Sequence, residues 1–470
     1  MARPTSRYVC QACGDSFLRW EGQCRSCAAW NTLVETVVRE PARARAASPG
    51  ERAARLAPVP LRDVTEPDLV RVPTGIGELD RVLGGGLVPG SLVLLGGEPG
   101  VGKSTLVLAA MAAVAESSLV LYASGEESTG QLRLRARRLG LTDGAAGERV
   151  LALAETDVER IVELAREARP AAVVVDSIQT VSLDDLEGPP GSVGQVRESA
   201  LRLLQYAKGD GVPVVLVGHV TKDGSLAGPK TLEHLVDAVL TLEGERGGGL
   251  RLLRATKNRF GSTEEVGVFA MGTDGLREVA DPARAFLAGE EIPAPGSAIG
   301  ATLEGSRPLL VEVQALVAPC AYGIPRRTAT GIDPNRLQLL LAVLARRAGV
   351  GLASHDVYAS VAGGLAIDEP ALDLPLALAL ASSLRDRPLR AGTVAAGEIG
   401  LLGELRPVAG LERRLREAGR LGFERAIVPR EGRSGERLPE RIGGLQVLAC
   451  GTLREAIGLA LAPEAAPVGG

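Results

Sequence analysis

The 470-residue chain has no apolar run long enough to cross a bilayer. Its longest, Leu106 to Ala115, is Ala-rich and falls far short of the roughly 20 residues a spanning helix needs. The N-terminus also lacks the apolar stretch of a secretion signal, so the expected location is the cytoplasm, with no membrane partner. Charge of one sign is missing as well. The 53 Lys+Arg nearly balance 57 Asp+Glu, and a net charge of −4 makes no overall electrostatic case for nucleic acid. Residues 1–60 hold nine Arg against five Asp+Glu, which a solvated basic tail would explain equally well. Histidine is scarce at three residues, and lysine is nearly absent, with only Lys103, Lys208, Lys222, Lys230 and Lys257. A chain that uses Arg almost everywhere keeps Lys where a compact ammonium is needed.

Cysteine is sparse too, but four of the six are clustered. Cys10-x-x-Cys13 and Cys24-x-x-Cys27 form two knuckles, with Gly14 and Gly22 allowing tight turns. In a cytosolic chain this spacing indicates a four-cysteine zinc ribbon rather than two disulfides or a redox pair. So short a segment cannot bury enough apolar surface alone, so Zn2+ would supply most of its folding energy. Cys320 and Cys450 stand apart, as packed thiols.

The strongest chemical signal is Gly97-Glu-Pro-Gly-Val-Gly-Lys-Ser104, which lies between an apolar run at 91–95 and a helical stretch beginning near Lys103. A strand, a glycine loop and a helix in that order form a phosphate cradle. The loop from Gly97 through Glu98, Pro99, Gly100, Val101 and Gly102, continuing into Thr105, would wrap ATP phosphates with backbone N–H groups. Lys103 would reach the β- and γ-phosphates, and the Ser104 hydroxyl would ligate Mg2+.

The surrounding pattern alternates apolar runs (91–95, 119–123, 150–153, 172–175, 214–217) with helical stretches (103–115, 127–139, 157–168, 193–208). That is the grammar of a mostly parallel, doubly wound α/β sheet. Runs at 235–242, 250–256 and 265–270 extend it as successive antiparallel strands. The expected organisation is a ribbon (1–33), a linker (34–60), the ATPase domain (61–280), a second α/β domain (290–462) and a tail (463–470).

Val173 to Asp176 is a strand ending in a carboxylate, placed to hold Mg2+ beside the loop. Ser124-Gly-Glu126-Glu127 ends another strand, with Glu126 favoured as the general base and Glu127 as its neighbour or alternate. His219, at the tip of the 214–217 strand, is placed to sense the γ-phosphate. The loops Lys222–Lys230 and Ser182–Val193 cross the same edge, which makes Lys222 and Lys230 candidates for DNA contact. Lys257 and Arg259, two apart on a strand, share one face and suit insertion into a neighbour's γ-phosphate site.

Together with Trp30-Asn-Thr-Leu33, Thr74-Gly-Ile-Gly-Glu-Leu-Asp80, Gly84-Gly-Gly-Leu87, Val175-Asp-Ser-Ile-Gln179, Gly218-His-Val-Thr-Lys222 and Lys257-Asn-Arg-Phe-Gly261, these motifs resemble the bacterial RadA/Sms DNA repair family, from about residue 7 to residue 460. The resemblance implies a RecA-like ATPase core in a homo-hexameric ring, with Lys257 and Arg259 acting across the subunit interface. It also implies binding of single-stranded and branched DNA, and ATP-driven branch migration alongside the RecA recombinase.

Residues 290–460 resemble the proteolytic domain of Lon proteases, whose dyad is a Ser in D-G-P-S-A-G and a Lys in G-G-L-K. Here the first motif reads Asp368-Glu-Pro-Ala371-Leu-Asp373 and the second Ala409-Gly-Leu-Glu412. A methyl group cannot attack a carbonyl, and a carboxylate cannot replace a desolvated lysine base, so an ATP-dependent protease is disfavoured. Arg326, Arg327 and Arg336 are the candidates for DNA phosphate contact in this domain. A RecA-like regulatory ATPase without motor activity is the remaining alternative.

Overall fold

A computed structural model of the chain describes residues 5–10, 13–38, 70–219, 232–244, 249–284, 286–287, 294–320, 323–362, 369–432 and 437–463. The candidates Lys222 and Lys230, and Asp368 of the first protease-like motif, lie outside these residues. The chain divides into two compact units. One comprises Met1–Glu243, Leu252–Thr263 and Met271–Arg277; the other comprises Gly244–Arg251, Glu264–Ala270 and Glu278–Gly470. No helix among the described residues is long and apolar enough to cross a membrane.

The first unit begins with a three-stranded ribbon sheet in the order β2-β1-β3, made by β1 (Thr5–Cys10), β2 (Ser16–Phe17) and β3 (Leu33–Val38). The register Cys10↔Leu33 through Thr5↔Val38 carries the ribbon five residues past its expected end, because β1 needs an antiparallel partner along its whole length.

A helix the periodicity did not reveal, α1 (Gly77–Leu83), precedes the nucleotide loop and stops at Gly84, whose φ of 84° suits glycine. Then come β4 (Leu92–Gly97), α2 (Lys103–Ala115), β5 (Val120–Ser124) and α3 (Thr129–Arg138). They are followed by α4 (Gly144–Arg149), β6 (Val150–Ala154), α5 (Val158–Ala168) and β7 (Ala172–Asp176). Next are α6 (Val193–Asp210), β8 (Val214–Val217), β9 (Ala238–Glu243) and β10 (Leu250–Asn258).

Within a nine-stranded sheet these seven strands lie in the order β10-β9-β4-β8-β7-β5-β6. From β9 to β6 all are parallel, and β4, β5, β7 and β8 are buried along their full length. Their Val/Leu-rich runs are what a sheet covered on both faces requires. The 235–242 run begins its strand at Ala238 and enters parallel to β4, whereas β10 pairs antiparallel with β9. α3 starts two residues later than its apolar pattern suggests. Ser128 caps it in a reciprocal box with Gln131, which leaves Glu126 and Glu127 in the strand–helix turn.

Register fixes the site. Leu95 pairs with Val217, Val217 with Asp176, and Asp176 with Ser124, so one row crosses four parallel strands. The next residues along each strand therefore emerge together at the carboxyl edge, where ligands bind in open α/β sheets.

After β11 (Val266–Gly272) and β12 (Gly275–Glu278), the second unit builds a mixed sheet in the order β15-β16-β14-β13-β17-β20-β22-β21. Its strands are β13 (Ser297–Glu304), β14 (Arg307–Pro319), β15 (Arg327–Thr330), β16 (His355–Val361), β17 (Thr393–Ala395), β20 (Arg425–Pro429), β21 (Arg441–Ile442) and β22 (Leu445–Cys450). A small hairpin of β18 (Glu398–Ile399) and β19 (Leu405–Arg406) stands apart. The helices are α7 (Pro334–Val343), α8 (Asp373–Arg385), α9 (Leu411–Arg420) and α10 (Leu453–Ala460). This is the α/β fold expected of the Lon-protease-like domain.

Candidate nucleotide site and metal centre

The loop after β4 is held by backbone conformations that suit glycine. Gly97, Gly100 and Gly102 have φ of 151°, 80° and 114°. A Cβ at Gly97 would lie 2.5 Å from the Leu242 carbonyl oxygen, and one at Gly102 would lie 2.9 Å from Leu276 and Met271. A Cβ at Gly100 meets nothing within 4 Å, so it faces the open hollow of the loop. Glu98, Pro99 and Gly100 are exposed, while Val101 is buried and anchors the loop to the core.

α2 starts at N-cap Gly102, with no side-chain cap and no acidic residue in its first turn. Its leading N–H groups and dipole therefore point into that hollow unopposed, which suits a phosphate chain. Ser104 and Thr105 occupy that first turn, each half-buried. Lys103 is buried, with Nζ 2.9 Å from Gly97 O, 3.0 Å from Glu98 O and 3.2 Å from His219 Nδ1. Burial lowers its pKa, against the opposing pull of the Asp176 and Glu126 charges.

The remaining groups arrive on the neighbouring strands. An ammonium can only donate, so His219 Nδ1 accepts from Lys103, and Nε2–H faces Glu126 Oε1 at 3.2 Å. Glu126 Oε1 also accepts from Ser177 Oγ at 2.6 Å. Burial alone would raise the Glu126 pKa. The Ser177 and His219 hydrogen bonds, with the charge of Lys103, outweigh it and hold the carboxylate below its ordinary range. Asp176 Oδ2 accepts from the buried Tyr122 hydroxyl at 2.6 Å and lies 3.9 Å from Arg135 Nη1. Glu127 Oε1 is tied to Arg135 Nη2 at 2.6 Å.

Spacing and periodicity give no role at this site to Tyr122, Arg135 or Ser177. Tyr122 and Ser177 are fully buried, and Arg135 is one of several arginines on a polar helix. Equally unmarked is Gln195, a buried side chain that braces the 182–193 loop by bonding Leu183 N at 2.9 Å and Leu186 O at 2.6 Å.

Lys257 and Arg259 are not beside this site. The register slips between Ala255 and Lys257, the strand ends at Asn258, and Arg259 lies just past it. Both side chains nevertheless reach one segment. Lys257 Nζ donates to Glu233 O and, at 2.9 Å, to Val236 O; Arg259 Nη1 meets Asp237 Oδ1 at 3.1 Å. Asp237 also accepts from Leu92 N, at the first residue of β4. At about 3.3 Å per residue, the span from Leu92 to Gly97 sets Arg259 roughly 17 Å from its own phosphate loop.

The ribbon cysteines converge, with all four Sγ atoms within 4.8 Å of one another. The Cys10–Cys27 and Cys13–Cys24 separations are both 3.6 Å. A zinc tetrahedron with bonds of about 2.3 Å has sulfur–sulfur edges of about 3.8 Å, so the donor set fits Zn2+ in number, chemistry and size. Besides cysteines, the described ribbon core contains one buried apolar residue, Leu33, with Tyr8 and Phe17 packed partly against it. Burying Leu33 contributes ~2–3 kcal/mol. A structural zinc contributes ~10–16 kcal/mol and dominates that core. Desolvation in the cluster pushes the Cys13 thiol up to about 12. Cys450 is buried, with its thiol raised to about 11 by burial, and Cys320 is half-buried.

In the second unit Ala371 is buried in the turn before α8, and Glu412 pairs with Arg416 on the surface of α9. Arg327 donates to the His355 carbonyl and, at 2.9 Å, to the Leu352 carbonyl. Arg336 pairs with the buried Asp373, its Nε 2.7 Å from Oδ1. Of the three arginine candidates, Arg326 alone is exposed.

The family described as AAA domain matches residues 60–225, that described as rubredoxin metal binding domain matches 8–35, and that described as subunit ChlI of Mg-chelatase matches 346–432. With the fold and the loop, these matches define the class: an ATP-hydrolysing enzyme that uses ATP with Mg2+, preceded by a zinc ribbon and followed by a Lon-protease-like domain. The chain is 48% identical to DNA repair protein RadA of Bacillus subtilis (strain 168) over 459 residues, covering 97% of this chain and 99% of the relative. It is 49% identical to DNA repair protein RadA of Pseudomonas aeruginosa, covering 97% and 99%. The chain belongs to the RadA family of DNA repair proteins. A solved structure of the RadB recombinase, 25% identical, covers 44% of this chain and 99% of its own, with a TM-score of 0.37.

Proposed function

We propose that the chain is a DNA-dependent ATPase that works as a ring-shaped motor on single-stranded DNA. In this reading it promotes branch migration of recombination intermediates together with the RecA recombinase, in the cytoplasm. Within one site, Lys103 would bind the β- and γ-phosphates, and Ser104 with Asp176 would hold Mg2+, which would offset the phosphate charge. Glu126, accepting from Ser177 and His219, orients and deprotonates the attacking water, and His219 reports the γ-phosphate to the loop that follows.

The observation that carries the ring is the position of Arg259. It pairs with Asp237 beside Leu92, at the opposite end of β4 from Gly97. A cation that far from its own loop serves hydrolysis only in a neighbour's site, and a closed homo-hexamer gives every site such a neighbour. Lys257 accompanies it. DNA would contact Lys222 and Lys230 in the first unit and Arg326 in the second, where Arg327 and Arg336 shape the surrounding fold. The loss of both protease-dyad residues, at Ala371 and Glu412, leaves DNA rather than polypeptide as the object of the work.

A three-strand branch-migration assay with and without RecA tests this reading, comparing wild type with Lys103→Ala. Wild type should extend branches in an ATP-dependent way that the variant loses. Equal activity in both would remove the motor.

A further inference from the structure

Asp176 is a carboxylate with two chemically equal oxygens, and the torsion that exchanges them is soft. To hold a hydrated Mg2+ it must present one oxygen in a fixed direction. Two side chains from separate elements converge on the same oxygen: Tyr122 of β5 donates to Oδ2 at 2.6 Å, and Arg135 of α3 brings Nη1 to 3.9 Å from it. Among the described residues no group bonds Oδ1. The register supports the convergence. Tyr122 pairs with Val174, two residues before Asp176 on β7, so both side chains lie on one face of adjoining strands. Arg135 is in turn fixed by Glu127, whose Oε1 lies 2.6 Å from Nη2.

We infer that Tyr122 and Arg135 are positioning residues for the metal: the Tyr122 hydrogen bond holds Asp176 Oδ2, the Arg135 charge 3.9 Å away favours the same orientation, and Oδ1 is left to face Mg2+. The inference deepens the proposed nucleotide site and rests on the reading of Asp176 as its Mg2+ holder. It gives a fully buried tyrosine a reason to carry its hydroxyl, since phenylalanine would fill the same space. It also assigns Arg135 two tasks through one guanidinium, aiming Asp176 and occupying Glu127. Groups that orient a metal-holding carboxylate typically change metal affinity by about 10- to 100-fold when removed.

The test follows binding of a fluorescent, slowly hydrolysed ATP analogue to the full chain as Mg2+ is titrated, then repeats the binding in excess chelator. Tyr122→Phe and Arg135→Gln should each raise the Mg2+ midpoint about tenfold while leaving binding in chelator unchanged. A purely packing role for Tyr122 would lower the melting temperature without moving that midpoint. Asp176→Asn separates the two levels of the argument. If it raises the midpoint and the other two variants do not, the positioning role is overturned and the site reading stands. If it also leaves the midpoint unmoved, the site reading fails and the inference falls with it. Should Tyr122→Phe not fold, Arg135→Gln decides, because Arg135 is partly exposed and sits on a surface helix.

Discussion

Arg135 pairs with Glu127 through Nη2 and Oε1 at 2.6 Å, and this ion pair sets Glu127 apart from Glu126, the adjacent glutamate that the sequence favours as general base. Glu126 turns instead toward Ser177, His219 and Lys103. Glu126→Gln should therefore lower kcat by about 10²–10⁴-fold, the usual size of a lost general base, with ATP binding retained. Glu127→Gln should keep hydrolysis within about tenfold of wild type, since it removes no group from the water's path. Steady-state ATPase assays beside nucleotide titrations check both, and the reverse order of effects would exchange the two assignments.

A pH profile tests how Glu126 is kept ionised. Its pKa is depressed by hydrogen bonds and positive charge that overcome burial. A base must be deprotonated to act, so hydrolysis is retained as pH falls until the solution reaches that lowered pKa. Removing the Ser177 hydroxyl takes away one stabilising bond while burial remains, so the pKa rises. Ser177→Ala should shift the acid limb of kcat upward in pH and reduce the plateau, whereas Ser177→Thr, which keeps a hydroxyl, should restore part of both. An unmoved acid limb in Ser177→Ala would falsify the idea that this bond tunes Glu126.

Much of the catalytic edge is legible in the sequence because parallel strands announce themselves. Buried Val/Leu runs end in Gly97, Ser124, Asp176 and Gly218, and a parallel sheet brings such ends together. The ribbon is legible because thiol spacing encodes a metal tetrahedron. What is not legible depends on side-chain direction across elements. Tyr122 looks like one more apolar strand residue, and nothing local tells that its hydroxyl meets Asp176. Equally illegible is the register slip between Ala255 and Lys257, since a bulge depends on pairing with β9. The apolar run at 235–242 places Ala238 deep within a strand; Asp237, which bonds Leu92 N, ends the preceding turn and sets where β9 begins.

Arg259→Ala should leave ATP binding largely intact and collapse hydrolysis. Asp237 keeps its bond to Leu92 N and its ion pair with Lys208, so thermal unfolding should change little. The informative experiment is a mixture. Arg259→Ala carries an intact Glu126, and Glu126→Gln carries an intact Arg259. If sites are completed across an interface, mixing the two inactive proteins regenerates some complete sites and restores measurable turnover. Inactivity of the mixture, with exchange of subunits demonstrated, would sink the trans assignment.

Zinc removal should act on the ribbon and spare the ATPase core. The chain has only two tryptophans, Trp20 and Trp30, and both lie in the ribbon, so intrinsic tryptophan fluorescence reports on that segment alone. A chelator should extract one zinc per chain and change tryptophan anisotropy, while the main thermal transition and DNA-independent ATP hydrolysis persist. Metal binding requires thiolates, and an ordinary thiol is largely protonated at neutral pH, so protons compete with zinc throughout the neutral range. Zinc affinity should therefore fall as pH is lowered, and loading should release protons that a weakly buffered titration can count. Cys13→Ser removes one corner of the tetrahedron and should reproduce the chelated fluorescence at any pH. A chain that keeps its native anisotropy after complete zinc extraction would show that Leu33, Tyr8 and Phe17 suffice to fold the ribbon, against the small apolar core they provide.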